Sequence, residues 1–309
     1  VTRDLAASVR ARLANKAKET NRPFQEVLTY FAMERFLYRL SRTEHTQRFI
    51  LKGALMFTAW GTSQTRATRD IDFLAHAANS VEAMTDVVRS ICAQEVPPDG
   101  MVFLPETARG AAIKEDADYS GVRVTFTAKL QNARILMQTD IGFGDVIYPG
   151  VVPTEYPTML EFEGPHLLGY PKETVVAEKF EALTKLGQLN SRMKDYSDIL
   201  TLSRQFDFDG SELATAIQAT FANRRTEVRS EPVGLSEAFS RDPTKQTQWA
   251  AFLRKSKLTG VPTDLTTVVE ELRSFLAPIA IAILQRKAFE LTWKEPGPWR
   301  RSEADNDGD

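Results

Sequence analysis

Cysteine is nearly absent. Cys92 is the only one in 309 residues, which excludes an internal disulfide and any multi-cysteine zinc site and fits a reducing compartment. Histidine is almost as scarce, and His45, His76 and His166 lack metal-ligand spacing. Long apolar runs are missing as well. The longest, Phe275 to Leu284, is interrupted by Pro278 and falls well short of the roughly 20 residues that span a bilayer. The N-terminus is charged and amphipathic without a signal-peptide pattern, so a cytoplasmic protein with no membrane partner is expected. No internal repeat is evident.

What is present belongs to an ordinary globular chain. An apolar fraction of 42% and a charged fraction of 26% suffice for a sizeable core, with room for two domains. The net charge of -2 conceals an uneven distribution. Residues 1–66 carry twelve Lys and Arg against five Asp and Glu, whereas residues 67–205 carry thirteen against twenty. A basic region suits a polyanionic partner, and clustered acids suit a divalent cation.

Periodicity predicts helices over 3–18 and 23–41, the second with Phe24, Val27, Leu28, Phe31, Phe36 and Leu37 on one stripe. A short apolar helix over 53–60 opens at a glycine. A strand follows over 69–75, then a helix over 80–94 with Ser80 as N-cap. Residues 122–130, "VRVTFTAKL", alternate cleanly, with Arg123, Thr125, Thr127 and Lys129 on the polar face. A Gln131-Asn132 turn leads into a second strand over 133–143, making a hairpin. Short strand pieces are expected near 156–162 and 166–170. From Pro171 the pattern is helical: 172–187, 193–205, 211–222, 243–256 and 264–290, the last kinked or split at Pro278. The fold class is α+β with a central mixed or antiparallel sheet. The expected divisions are 1–170, 171–293 and a disordered acidic tail over 294–309.

One block concentrates chemistry: "RFILKGALMFTAWGTSQTRATRDIDFLAH", residues 48–76. Residues two apart on a strand share a face, so Asp70 and Asp72 point the same way while Ile71 and Phe73 enter the core. Two like charges so close are costly unless a cation joins them, and Mg²⁺ favours carboxylate oxygens together with substrate phosphates. In "ARILMQTDIGFGD", Asp140 falls on the polar face of its strand. Three carboxylates on neighbouring strands would hold two metal ions for an in-line phosphoryl displacement. Lys52 and Gly53 would meet the phosphates, Gly53 by letting backbone N–H groups approach at a helix start.

"LKGALMFTAW" followed by "RATRDIDFLAH" resembles the first motif of the AbiEii-type nucleotidyltransferase toxins, within the DNA polymerase β-like nucleotidyltransferase superfamily. "PKETVVAEKFEALTKLG" and "SRMKDYSDILTL" resemble the third and fourth motifs, and the resemblance runs over residues 45–205. It implies a polymerase-β-like core and a transfer of NMP from an NTP to an acceptor. That acceptor would be RNA, the tRNA 3′ end first of all, with blocked translation, a cognate antitoxin and phage defence as the setting. By the same resemblance Gly53 faces phosphate and Asp70 and Asp72 bind metal. Thr68 stands where relatives carry a phosphorylatable Ser or Thr, and Asp140 takes the third-carboxylate place. Lys179 is then the nucleotide-phosphate lysine. Arg192, Lys194, Asp195 and Asp198 form an R-x-K-D-x-x-D motif in which Asp195 is the favoured catalytic or structural acid. Ala54 departs from the Gly or Ser common at that place. Two alternatives stand beside RNA transfer: nucleotidylation of a protein hydroxyl, and a nucleotide-binding regulatory module without catalysis.

Overall fold

The computed structural model describes residues 4–62, 67–116 and 119–301, with backbone alone at 114–116 and 119–120. These fall into two compact units. The first draws on Val1–Gly61, Ala67–Gly144 and Val152–Gly169; the second on Thr62–Arg66, Asp145–Val151 and Tyr170–Asp309.

In the first unit, helices α1 (Leu5–Glu19) and α2 (Phe24–Ser41) precede strand β1 (Phe49–Lys52), helix α3 (Ala54–Ala59), strand β2 (Asp70–Ala75) and helix α4 (Val81–Ala93). Strands β3 (Met101–Asp116), β4 (Tyr119–Leu130), β5 (Ala133–Gly142), β6 (Val152–Glu155) and β7 (His166–Gly169) follow. All seven join one sheet in the order β3-β4-β5-β2-β1-β7-β6. The β1–β7 and β2–β5 pairs are parallel and the others antiparallel, so the sheet is mixed. Side-chain oxygens fix the starts of α1 and α4: Asp4 accepts from the Ala7 N–H and Ser80 from the Ala83 N–H.

The two sheet faces differ in kind. Ile71, Phe73, Val122, Val124, Phe126, Ile135, Met137 and Ile141 are buried in the core with α2 and α4. Phe36 of α2 meets Phe126 at 4.8 Å between ring centroids. The alternate residues project to the opposite face, and apart from Leu136 those of β4 and β5 opposite the core, Arg123, Thr125, Thr127, Lys129, Arg134, Gln138 and Asp140, are polar.

Strands β1 and β3 were absent from the sequence pattern. In β3, Pro105 lacks an N–H and the pairing register shifts between Leu104 and Arg109. The alternation therefore breaks at that bulge and restarts. Gly110 is needed after it, because a Cβ there would sit 2.1 Å from the Thr85 hydroxyl of α4. The expected strand near 156–162 is instead a loop. Pro157 interrupts it, and Phe162 packs on Phe31 at 6.0 Å rather than alternating along a ladder.

In the second unit, α5 (Lys172–Leu186), α6 (Met193–Gln205), β8 (Phe208–Asp209), α7 (Gly210–Asn223), α8 (Glu237–Ser240), α9 (Pro243–Ser256) and α10 (Leu265–Leu284) are followed by β9 (Leu291–Trp293) and β10 (Trp299–Arg301). β8, β9 and β10 make a small sheet. Helix α10 runs unbroken through Pro278, because Phe275, Leu276, Ile279 and Ala280 bury both of its flanks; that burial outweighs the roughly 3 kcal/mol cost of an interior proline. It stops at Leu284 rather than residue 290, where Arg286 takes a φ of 55°. The expectation of disorder from residue 294 fails up to Arg301. Trp299 stacks on Phe275 at 5.7 Å and donates its indole N–H to the Phe275 carbonyl at 2.9 Å, which ties the β9–β10 hairpin to α10. The rest of that expected tail, 302–309, lies outside the described residues.

Candidate active site

The register of the large sheet brings four charged residues into one line. Lys52 of β1 pairs with Asp72 of β2, Asp72 with Asp140 of β5, and Asp140 with Arg123 of β4. Residues directly paired across strands share a face, and adjacent strands lie about 4.8 Å apart. Lys52, Asp72, Asp140 and Arg123 therefore form a row across four neighbouring strands. One step along the same face, Asp70 pairs with Gln138, and Gln138 with Thr125. The two aspartates of β2 and Asp140 thus share the polar face of the sheet.

Gly53 follows Lys52 directly and has two reasons to be glycine. Its φ is 72°, and a Cβ built there would lie 1.9 Å from Asp72 Oδ2. The Asp72 carboxylate occupies the space a side chain would need, so the bend from β1 into α3 and the position of this carboxylate are one feature. No side chain caps the N-terminus of α3, leaving its first N–H groups without an intrahelical partner.

Asp140 is held by Arg123 in a two-pronged contact. Nε donates to Oδ1 at 2.8 Å and Nη2 to Oδ2 at 2.6 Å, while Gln138 donates to Oδ1 at 3.3 Å. Asp140 is 8% exposed, and the Arg123 side chain 42%. The hydrogen bond to Asp140 raises the Arg123 pKa, and the charges of Asp140, Asp70 and Asp72 add to that against a smaller effect of burial. Arg123 is therefore a cation whose charge couples to all three carboxylates. Among the described residues, no group of three or more His, Cys, Asp or Glu side chains is arranged to hold a metal ion. The expected cradle of three carboxylates is a row in which Arg123 engages the third. Asp70 and Asp72 supply hard oxygens on one face, a set that fits Mg²⁺, which binds through one or two carboxylates and leaves its other positions to water and phosphate.

Thr68 sets the entry to β2. Its hydroxyl lies 3.3 Å from both the N–H and the carbonyl of Asp70, and its own N–H donates to the Tyr30 hydroxyl at 3.0 Å. Tyr30, buried on α2, thereby anchors the start of the carboxylate strand. The sequence carries no signal of this role for Tyr30. Arg123 was legible in principle. A two-residue turn pairs Leu130 with Ala133, and counting equally back and forward from there sets Arg123 opposite Asp140.

The other expected site residues belong to the second unit. The Lys179 ammonium of α5 sits 2.7 Å from Asp195 Oδ1 and 2.8 Å from Asp198 Oδ2, both on α6, and Arg192 Nε lies 2.9 Å from Asp195 Oδ2. Burial opposes ionisation of Asp195, but Lys179 and Arg192 overcome it and hold the carboxyl below the usual aspartate range. Lys194 is exposed on α6, whereas Asp198, four residues on, is buried toward Lys179.

A family model described as the nucleotidyl transferase AbiEii toxin of type IV toxin–antitoxin systems matches residues 35–275. The chain belongs to this family. Membership makes it a toxin-type nucleotidyltransferase homologue with an antitoxin counterpart, and the match spans both units. Among solved structures, JHP933 from Helicobacter pylori is similar over 85% of this chain and 93% of that one, at 17% identity and a TM-score of 0.45. A second H. pylori protein, described as a "putative nucleotidyltransferase", is similar over 85% of this chain and 96% of its own, at 16% identity and a TM-score of 0.44. No curated protein matches the chain. Among the described residues, no helix is long and apolar enough to cross a membrane.

Proposed function

We propose that the protein transfers a nucleoside monophosphate from an NTP to an RNA hydroxyl, the 3′ end of tRNA being the favoured acceptor, and so blocks translation. The observation that carries this reading is the row Lys52–Asp72–Asp140–Arg123 with Asp70 one step along the same face. Asp70 and Asp72 would hold Mg²⁺. When bound, that cation would neutralise triphosphate charge and align the α-phosphorus for in-line attack. Lys52 adds a fixed positive charge beside the Gly53 bend, where backbone can approach phosphate closely. The acceptor hydroxyl loses its proton to solvent as its oxygen bonds to the α-phosphorus, the bond from that phosphorus to the α–β bridging oxygen breaks, and pyrophosphate leaves. Arg123 fixes the orientation of the Asp140 carboxylate through its two-pronged contact. Within the second unit, Asp195 and Asp198 hold the Lys179 ammonium in place, as a positioned cation requires.

A second reading, a nucleotide-binding module without transfer, is favoured by one observation: both oxygens of Asp140 are engaged by Arg123. One experiment separates the two. Purified protein is incubated with each labelled NTP, Mg²⁺ and total tRNA, beside Asp70→Ala. Label on RNA with wild type alone supports transfer. Nucleotide binding without label on RNA or protein supports the module, and label on protein alone points to a protein acceptor.

A further inference from the structure

The polar face of the sheet continues beyond the carboxylate rows, and its charge reverses. In the row that holds Asp70, Gln138 and Thr125, the β3 member is Arg109. The next row is Leu104, Thr127 and Leu136, and the one after it Val102, Lys129 and Arg134. With same-face rows about 6.7 Å apart, the face passes over three steps, about 20 Å, from the row of Asp72 and Asp140 to the row of Lys129 and Arg134. Beyond the carboxylates, these rows contain no acid; Glu106 lies within the β3 bulge. Among the described residues, Arg109, Lys129 and Arg134 form no ion pair with an acid, and Arg109 Nη1 donates to the carbonyls of Glu106 and Ala108, at 2.8 Å each.

The face is also open. Arg109 and Arg134 are exposed, Leu136 is 75% exposed and Val102 55%. Exposed cations around an exposed leucine, with Thr125, Thr127 and Gln138 between them, make a surface that offers phosphate contacts, hydrogen bonds and an apolar platform together. A sheet face presents no protruding helix to enter a duplex groove, but it suits an unpaired strand laid flat upon it.

We propose that the face formed by β3, β4 and β5 is the docking track of the acceptor, and that the acceptor segment bound there is single-stranded RNA. Its phosphates lie over Lys129, Arg134 and Arg109, and its terminal hydroxyl is delivered to the Asp70 and Asp72 end. This rests on the transferase reading above and adds the surface that reads the acceptor.

The test is fluorescence anisotropy with a short labelled single-stranded RNA, without NTP, across a salt series. Lys129→Glu/Arg134→Glu and the milder Lys129→Gln/Arg134→Gln are compared with wild type. NTP binding and thermal melting are measured on the same samples. Wild type should bind with an affinity that falls with salt. The charge reversal should weaken binding at least tenfold and flatten the salt slope by about 1.4, at 0.7 per lost phosphate contact. The Gln pair should be intermediate, with NTP binding and melting unchanged throughout. Equal RNA affinity in all three proteins overturns the track. Wild type that binds NTP but not RNA overturns it too. Loss of NTP binding in wild type would instead sink the transferase reading beneath it.

Discussion

A methyl group has no room at position 53. It would enter the Asp72 carboxylate and would also have to adopt a φ of 72° with a ψ of -152°, a nearly glycine-only region that costs another residue about 1–3 kcal/mol. Gly53→Ala should therefore lower the unfolding free energy by about that amount in a denaturant titration. It should also cut label transfer by about 100-fold, the scale of a 1 Å misplacement at a reacting centre. Transfer at the wild-type rate would show that the Gly53–Asp72 contact does not position the site. Arg123 sets up an experiment of opposite sign. Its charge couples to all three carboxylates, so removing it should make room for another cation. Arg123→Gln should bind Mn²⁺ more tightly than wild type by titration calorimetry and, without metal, melt lower by an amount equivalent to about 1 kcal/mol. Weaker Mn²⁺ binding would mean that Arg123 organises the carboxylates for metal rather than competing with it.

Among the elements, the α5–α6 pair is bound by charge. Lys179 bridges Asp195 and Asp198 in a buried setting. Lys179→Met should destabilise by about 3–5 kcal/mol because it strands buried carboxylates, and adding Asp195→Asn should restore part of that loss. Additive losses would deny the coupling. The Asp195 pKa lies below its ordinary value of 3.8. Its contribution is thus complete above that value and is lost as pH falls through the lowered one, so Asp195→Asn should shallow the acid limb of unfolding. The elements were unequally legible in the sequence. The β4–β5 hairpin announced itself by strict alternation on both sides of Gln131-Asn132, and β2 by Asp-Ile-Asp. Strand β3 did not, since Pro105, the bulge and Gly110 break the period that a strand is recognised by. Four-residue β1 is lost between two apolar helices. The parallel pairing of β2 with β5 leaves no local trace, because α4 and two long strands separate them; it is nevertheless what sets Asp140 beside Asp72.

For the whole molecule, the family and the α+β class were readable because four short blocks occur in the right order, whereas the division of residues between the two units depends on distant contacts. The overall pH response has a contribution from within the first unit. Burial pushes the Glu34 carboxyl of α2 up to about 7 despite the charge of Arg35. A folded pKa above the ordinary 4.5 means that the native state holds the extra proton between those values. Stability should therefore decline as pH rises from 4.5 to 7, by up to about 3 kcal/mol, and Glu34→Gln should flatten this decline in urea titrations at each pH. An unchanged slope in that variant would assign it elsewhere. Through Asp70 and Asp72 the first-unit sheet should bind a metal-borne nucleotide. The most direct test of this is calorimetric NTP binding with and without Mg²⁺, using wild type, Asp70→Asn and Asp72→Asn. The expected result is Mg²⁺-dependent binding in wild type, weakened at least tenfold in both variants. Equal affinity in all three proteins, or binding indifferent to the cation, would contradict it.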